Sequence, residues 1–246
     1  MIAGIDVSTW QDEMDWPKAR SAGAEFAFIR AGSINSITGE CYKDYQFDRN
    51  SEIGPEHMPC AYYWYSRPKF DGKKQADYFM GLIHDKRGFG WVNDIEVVDT
   101  SYDEALRQTM NLSIRMGQIH PGKKILYSRA LWWNSTMHRG NLTKLDWAAS
   151  MDLWIARYHS GIQHPWGDGY CKPIDWDDWK FWQWSADGNG LGPTYGGNSN
   201  SMDLNRFNGD LADFNRYIGK EVPAKPTFKI SVPASVGEFI IEVTRT

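Results

Sequence analysis

Two carboxylates stand two residues apart near the end of an apolar segment, "WVNDIEVVD" at positions 91–99. Side chains two apart on a β-strand point to the same side, so Asp94 and Glu96 would lie together, with Cβ atoms about 6–7 Å apart. Burying carboxylates costs free energy, so a strand of this kind needs a reason to carry two. Two further acids have similar contexts, Asp6 in "GIDVS" and Asp203 in "SMDLN".

A cluster of four carboxylates can bind a hard metal ion, form a solvated rim, or carry out acid–base chemistry. Crowded carboxylates raise one another's pKa, so one of them can keep its proton near neutral pH. A glycosidase requires this condition, because one acid protonates the leaving oxygen while another carboxylate stabilises the positive sugar-like transition state. Aromatic residues make up 15% of the chain, including 13 Trp, which favours a sugar over a metal. Core packing is nevertheless expected to use more than half of these tryptophans.

Eight strand-like segments would position the acids, and each is short, rich in β-branched and aromatic residues and bounded by Gly, Pro, Asn or Asp. They cover residues 2–8, 25–31, 60–66, 91–97, 124–128, 152–158, 180–186 and 201–207. Helical patterns alternate with the early strands and become short or unclear after residue 128. This alternation predicts an α/β fold with parallel strands, and eight strands favour an incomplete β/α-barrel. The first and last strands of a closed barrel are neighbours, which would bring the four acids to one mouth.

Charge and residue spacing argue against several other classes of protein. The net charge is −4 without a basic tract, so nucleic acid is not an expected partner. No apolar run reaches the ~20 residues needed to span a bilayer, so no membrane insertion is expected. The six histidines and three cysteines lack metal-ligand or disulfide-framework spacing, and we expect no metal or cofactor. The run "DWDDW" at 175–179 lacks the Gly and Glu of a calcium loop and is interpreted as a solvated loop, with Trp176 or Trp179 near the cleft.

The pattern of residue types in the sequence changes near its end. Residues 1–219 form the expected catalytic barrel, and residues 220–246 are interpreted as a linker followed by a β-hairpin made of "TFKISV" and "EFIIEV". A tail of this size is too small to fold alone. We therefore expect it to dock on the barrel or to pair with a second copy, which would make a homodimer through the hairpin.

Several segments in chain order resemble glycoside hydrolase family 25, the N-acetylmuramidases of the bacteriophage and fungal type. They are "GIDVSTWQ", "DWPKARSAGAEFAFIRA", "AYYWYS", "QADYF", "NDIE", "ILYS", "LWIARY", "FWQWS" and "MDLNRFNGD", and they extend from residue 2 to about residue 210. The resemblance implies an incomplete, flattened β/α-barrel with helices mainly in the first half. It also implies the substrate, the β-1,4 bond between N-acetylmuramic acid and N-acetylglucosamine in bacterial peptidoglycan.

The resemblance further implies roles for individual residues. Glu96 matches the general acid, and the family's other acidic residues match Asp94, Asp6 and Asp203. Asp94 would orient the substrate's N-acetyl group or act more directly, and the estimated spacing does not choose between retention and inversion. The residues that match cleft tyrosines or belong to groove-lining motifs are Tyr62, Tyr127, Trp154, Gln183 and Trp184.

Two other functions stay open on the sequence, a non-catalytic peptidoglycan-binding barrel and a chitinase of a related barrel type. The chitinase pattern has an aspartate where this chain has Val92, which argues against it. The chain also departs from family 25 at Tyr63, where a histidine is common, and in the rim segment after Gly32. The N-terminus lacks a secretion-signal pattern, which predicts synthesis in the cytoplasm. Wall-cutting activity would then be that of an endolysin, released to act on the cell wall.

Overall fold

The computed structural model describes residues 1–158, 161, 163–167 and 172–221, with side chains for all of these except residue 189. The expected hairpin of "TFKISV" and "EFIIEV" lies outside these residues. The described residues form nine strands: β1 (Ile2–Val7), β2 (Ala24–Ile34), β3 (Cys41–Lys43), β4 (Cys60–Tyr65), β5 (Gly90–Asp94), β6 (Lys123–Arg129), β7 (Asp152–Ala156), β8 (Phe181–Ser185) and β9 (Asp203–Phe207). All of them except β3 form a closed ring, in the order β1, β2, β4, β5, β6, β7, β8, β9 and back to β1. The predicted α/β-barrel is therefore confirmed, and β3 is added on the outer edge of β2.

The three long helices, of 11 to 18 residues, all end before residue 120, and the described helices after it have at most seven residues, as the sequence pattern predicts. They are α1 (Trp16–Ser21), α2 (Phe47–His57), α3 (Gly72–Ile83), α4 (Tyr102–Ile119), α5 (Ala130–Trp133), α6 (Asp146–Ala149) and α7 (Leu211–Tyr217), with 3₁₀ turns at Thr9–Gln11 and Gly188–Gly190 and a π turn at Asn134–His138. Side chains cap the helix starts, since Asp15 accepts from the Lys18 amide and Ser101 from the Glu104 amide. No helix in the described part of the chain is long and apolar enough to span a bilayer.

The last strand runs against its neighbours, which differs from the all-parallel prediction. Strand β9 is antiparallel to both β1 and β8. The connection from β8 stays at the end of the barrel where β8 finishes, because no long helix carries the chain back, so β9 must start there. This direction places Asp203, at the first position of β9, directly opposite Asp6, near the last position of β1.

Alternate side chains of each strand point into the barrel, and their polarity changes along its axis. The lower interior is a cluster of apolar side chains that α7 closes with Phe214; its strand members include Phe26, Phe28, Val92, Ile125, Phe181 and Phe207. Gly4 faces the same space, where an added Cβ would lie 2.4 Å from the Phe26 ring. The upper interior carries the polar side chains Asp6, Asp94, Gln183 and Asn205. The strands thus place polar side chains at the mouth of the barrel, above an apolar floor formed by the lower interior cluster.

A second apolar layer lies between the strands and the helices. Eight of the 13 tryptophans are buried, most of them here, so core packing accounts for the majority as expected. The interpretation of residues 175–179 as a solvated loop holds for Asp177 and Asp178, which are exposed, and is wrong for Asp175, Trp176 and Trp179, which are buried. Asp175 is 2% exposed, and its carboxylate accepts hydrogen bonds from Trp133 (2.6 Å), His138 (2.7 Å) and the Leu145 amide (2.5 Å). Three converging donors allow this carboxylate to be buried and tie the helices after β6 to the loop before β8.

Candidate active site

The four predicted acids lie in one cleft of about 440 Å³ at the mouth of the barrel. Its lining consists of Asp6, Ser8, Trp10, Gln11, Arg30, Tyr63, Tyr65, Asp94, Glu96, Tyr127, Trp154, Gln183, Ala186, Ser199, Ser201 and Asp203. The carboxyl ends of the parallel strands meet at this mouth, where barrel enzymes assemble their chemistry.

The main chain fixes the position of the Asp94–Glu96 pair. Strand β5 ends at Asp94, whose carbonyl accepts from both the amide (2.9 Å) and the hydroxyl (2.8 Å) of Ser66. On the other side, the amide of Ile95 donates to the Tyr127 carbonyl at 3.1 Å, and Ile95 itself is fully buried. Arg129 donates to the Glu96 carbonyl at 3.3 Å. Glu96 therefore lies just beyond the strand, and bonds from both neighbouring strands hold it there.

Asp6 and Asp203 form a second pair, in which the two carboxyls are hydrogen-bonded to each other and Asp6 is also bonded to neighbouring amides. One oxygen of Asp6 accepts from Asn205 at 2.7 Å and from Gln183 at 2.9 Å. Burial raises the pKa of Asp6 to about 6, and the amide donors offset part of this rise. Burial and the adjacent charge of Asp6 raise the pKa of Asp203 to about 10. The pair thus shares a proton at neutral pH, and Asp203 holds it.

Side chains around the acids orient the donors to Asp6. The hydroxyls of Tyr127 (2.7 Å) and Tyr158 (2.6 Å) both donate to the Gln183 carbonyl oxygen, which turns the Gln183 amide nitrogen toward Asp6. Trp154 donates to the Asn205 oxygen at 2.8 Å, which fixes the Asn205 amide in the same way. Trp154 also stacks on Phe28, with ring centres 4.0 Å apart, so the polar network rests directly on the apolar floor.

The carboxyl groups of Asp94 and Glu96, in contrast, make no hydrogen bond within the described part of the chain. Asp94 is 5% exposed, and its Oδ1 is fully buried without a partner. Burial raises the pKa of Asp94 well above its ordinary value, and the charge of Glu96 raises it further. Burial also raises the pKa of Glu96, while Arg129 and Arg30 lower it. This pair can hold a proton near neutral pH and has oxygen atoms available for a bound molecule.

Comparison with known proteins places this chain in a family. Residues 5–192 match glycosyl hydrolases family 25. The chain belongs to glycosyl hydrolase family 25. Lysozyme M1 of Streptomyces globisporus is 31% identical over 224 residues, which cover 86% of this chain and 69% of that protein. The crystal structure of the bacterial lysozyme from Streptomyces coelicolor is 28% identical, with a TM-score of 0.70 over 88% of this chain and 95% of that one. The muramidase structure from Acremonium alcalophilum shares the fold at 23% identity, with a TM-score of 0.68 over 89% of this chain and 99% of that one.

Family 25 membership makes the chain a glycoside hydrolase. Three of the five groove residues that the sequence predicts for this family 25 enzyme lie in the cleft: Tyr127, Trp154 and Gln183. Tyr62 and Trp184 do not. The Tyr62 hydroxyl donates to the Arg87 carbonyl at 2.8 Å in the outer layer, where its ring packs against Phe47. Trp184 packs in the outer layer with the Arg206 guanidinium over its ring.

These two corrections have one physical cause, which is strand parity. Adjacent residues on a strand face opposite sides, so Gln183 and Trp184 cannot both point into the barrel. Tyr63 faces inward in place of Tyr62, together with Tyr65, which is in register with Asp94.

The sequence predictions also did not include several further cleft or network residues: Trp10, Arg30, Tyr158 and Asn205. Asn205 stands two positions after Asp203, so the same period-two argument that pairs Asp94 with Glu96 would have identified it. Neither Trp176 nor Trp179 reaches the cleft. Both rings are buried, and their indole nitrogens donate to the Met151 carbonyl and to His164.

Proposed function

We propose that this family 25 glycosidase is a muramidase that hydrolyses the β-1,4 bond between N-acetylmuramic acid and N-acetylglucosamine in bacterial peptidoglycan, with Glu96 as the general acid. The observation that carries the assignment of Glu96 is the contrast between the two acid pairs. Asp6 and Asp203 are hydrogen-bonded to each other and Asp6 also to two fixed amides, whereas the carboxyls of Asp94 and Glu96 line the cleft without hydrogen-bond partners among the described residues. The free pair is the one that can exchange a proton with a substrate.

In the proposed reaction, Glu96 gives its proton to the glycosidic oxygen as the bond from that oxygen to the anomeric carbon breaks. The bonding electron pair leaves with the oxygen, and positive charge develops on the sugar ring. When Glu96 carries the single proton of the pair, Asp94 is ionised in spite of its raised pKa, and its carboxylate stabilises this charge, directly or by orienting the N-acetyl group that attacks the anomeric carbon. A water molecule then adds its hydroxyl to that carbon, and its proton returns to Glu96.

Asp6 and Asp203 serve the same reaction without exchanging protons with the substrate. Their shared proton limits the charge of the cluster, because four ionised carboxylates in one cleft would repel each other strongly. The rigid amides of Gln183 and Asn205 hold Asp6 in place, and both acids present oxygen atoms to sugar hydroxyls. We therefore assign them to substrate placement and to the electrostatics of the cleft.

The two alternative functions find less support. A chitinase of the related barrel type would carry an aspartate at position 92, and Val92 is instead a fully buried member of the apolar floor. A non-catalytic binding barrel would have no reason to keep two unpartnered carboxyls in a cleft, since each raises the free energy of the folded state.

The test compares Glu96→Gln with Glu52→Gln, a matched change on the exposed face of α2. Purified cell walls are digested and reduced with borohydride, and the fragments are identified by mass spectrometry. The parent and the Glu52 variant should both yield reduced N-acetylmuramic acid at the new ends. The Glu96 variant should have at least the melting temperature of the parent and lose about 10²–10⁴-fold in rate, the usual contribution of a general acid. An active, folded Glu96→Gln variant, or reduced N-acetylglucosamine in the products, would contradict the proposal.

The endolysin role, the release from a cytoplasm and the homodimer stay predictions of the sequence. The CTP1L endolysin structure shares the fold with this chain at 15% identity and a TM-score of 0.61, which concerns the fold alone. Lysis of susceptible cells from within after co-expression with a membrane-permeabilising protein, compared with lysis from outside, would test the endolysin role.

A further inference from the structure

Among the described residues that line the acidic cleft, Arg30 carries the positive charge, on the interior face of β2. Its guanidinium carbon lies 5.2 Å from the centre of the Tyr65 ring, and its Nη2 makes a long hydrogen bond of 3.5 Å to the Tyr42 hydroxyl. Its Nε is buried and has no hydrogen-bond partner in the described part of the chain. No carboxylate of those residues lies within the 4.0 Å of its nitrogens that defines an ion pair.

A half-buried arginine ordinarily pairs directly with a carboxylate, so its position here needs an explanation. The charge of Arg30 lowers the pKa of three carboxyls that burial raises: Asp94, Glu96 and Asp44. Asp44 is already bound by the amides of Thr9 (3.2 Å) and Gln46 (3.0 Å). The carboxyls of Asp94 and Glu96 have no such bonds, so the charge of Arg30 has the larger share in setting their protonation.

Other titratable groups face the same two acids from the surrounding strands. Arg129, on β6, lowers the pKa of both, but its side chain is exposed and is bonded to the Glu96 carbonyl. Asp6, on β1, raises the pKa of Asp94, and Asp203, on β9, is coupled to the charge of Glu96. The tyrosines around them are kept neutral by burial, and they are Tyr63, Tyr65, Tyr127 and Tyr158. Arg30 is thus the cleft-lining source of positive potential among the residues described.

We propose that Arg30 is a positioning residue for the glycosidase reaction, and that it acts at a distance to keep one proton and one negative charge on the Asp94–Glu96 pair. This inference rests on the proposed function, because it concerns the same reaction. The reaction needs this state of the pair: with two protons there is no carboxylate to stabilise the sugar cation, and with none there is no acid for the leaving oxygen.

The proposed role requires that Arg30 does not bond directly to Asp94 or Glu96. A direct, bidentate bond from a guanidinium would occupy the carboxylate oxygens that must meet the substrate. It would also hold the bound carboxylate ionised and prevent it from taking up a proton. Stacking on Tyr65 places the charge near the pair while leaving both carboxyls free, and it replaces some of the solvation that the guanidinium loses.

The experiment measures pH–rate profiles on purified cell walls for Arg30→Met, Arg30→Lys and the matched control Arg67→Met. Arg67 lies on the same Tyr65 ring, with its guanidinium carbon 5.7 Å from the ring centre, but it is paired with Asp99 at 3.3 Å and does not line the cleft. In Arg30→Met, both limbs of the profile should move to higher pH by about one unit, the order expected for a unit charge near a partly solvated pair. Arg30→Lys should restore the parent profile, and Arg67→Met should not move it.

A second readout does not depend on catalysis. The titration of Glu96 can be followed by carbon NMR of the δ-carboxyl in glutamate-labelled protein, with the signal assigned by its loss in Glu96→Gln. Its midpoint should rise in Arg30→Met and stay in place in Arg67→Met. Unmoved limbs and an unmoved midpoint, even with a lower rate, would overturn the role of Arg30. A raised midpoint in a protein that does not cleave cell walls would support the electrostatic role and refute the proposed function instead.

Discussion

Replacing Asp203 by asparagine is expected to stabilise the fold at neutral pH. The cluster holds a proton on Asp203 because burial and the charge of Asp6 raise its pKa to about 10 from an ordinary value of 3.8. In the unfolded chain this carboxyl ionises at neutral pH, so folding must recover a proton. An asparagine side chain is neutral in both states, and its amide can donate to Asp6 as the carboxylic hydroxyl does.

The size and the sign of the effect follow from the two pKa values. Keeping a carboxyl protonated costs about 1.4 kcal/mol for each pH unit above its ordinary pKa, or about 4 kcal/mol at pH 7 as an upper limit. Asp203 is half-buried, and solvent in the cleft reduces the expected gain to about 1–3 kcal/mol. Because the folded pKa is the higher one, the contribution of Asp203 to stability is complete below about pH 4 and is lost as the pH rises toward 10. The gain from Asp203→Asn should therefore be present at pH 7.5 and absent at pH 4.

Differential scanning calorimetry of the parent and the variant at both pH values measures this difference. For a chain of this size, 1–3 kcal/mol corresponds to a rise in melting temperature of about 3–10 °C at pH 7.5. Asp85→Asn, a change at an exposed carboxyl after α3, serves as the control and should leave the melting temperature unchanged. An unchanged or lower melting temperature for Asp203→Asn at pH 7.5, or an equal gain at pH 4, would refute the reasoning.

Two other changes have defined outcomes. Asp175→Asn should lower the free energy of unfolding by about 2–4 kcal/mol in urea titrations, because a single amide oxygen must replace a carboxylate on which three donors, two of them buried, converge; unchanged stability would contradict the assigned hydrogen-bond network. A chain that ends at Gly219 should still cleave the muramic-acid bond, because the four acids precede that point, and it should lose melting temperature or change its mass in light scattering. If it keeps both and no longer binds cell walls, the tail is a targeting segment and its predicted docking is wrong.

Much of the barrel was predictable because the strands carry strong local signals. Segments such as "EFAFIRA" and "KILYS" are short, apolar and well bounded, and the acids stand where such segments end. The direction of β9 was not predictable, since nothing within "SMDLNRF" distinguishes a strand that follows a helix from one that returns directly. Its reversal is what brings Asp203 opposite Asp6.

The errors at the site come from segments in which both faces are aromatic. In "AYYWYS" no polar residue alternates with the apolar ones, because Tyr63 fills the interior while Tyr62 and Trp64 fill the outer layer. Local pattern then cannot tell which tyrosine faces the cleft, and only the register with Asp94 decides. The burial of Asp175 was missed for a different reason. The polar residues near it in the sequence suggest a solvated loop, whereas donors that are distant in the sequence form the three hydrogen bonds that allow its burial.

The pairing of β1 with β9, which closes the ring, affects the order in which the enzyme folds. The hydrogen bond between Asn205 and Asp6 joins residues 199 positions apart in the chain, and the bond from Gln183 to Asp6 spans 177. Contacts of such long range close a large loop and therefore form late in folding. During synthesis, Asp6 leaves the ribosome early, and its partners Gln183 and Asn205 are made only after almost all of the barrel. The acid cluster is then complete only after β9 has been made, so fragments released before that point would contain Glu96 but no assembled cleft.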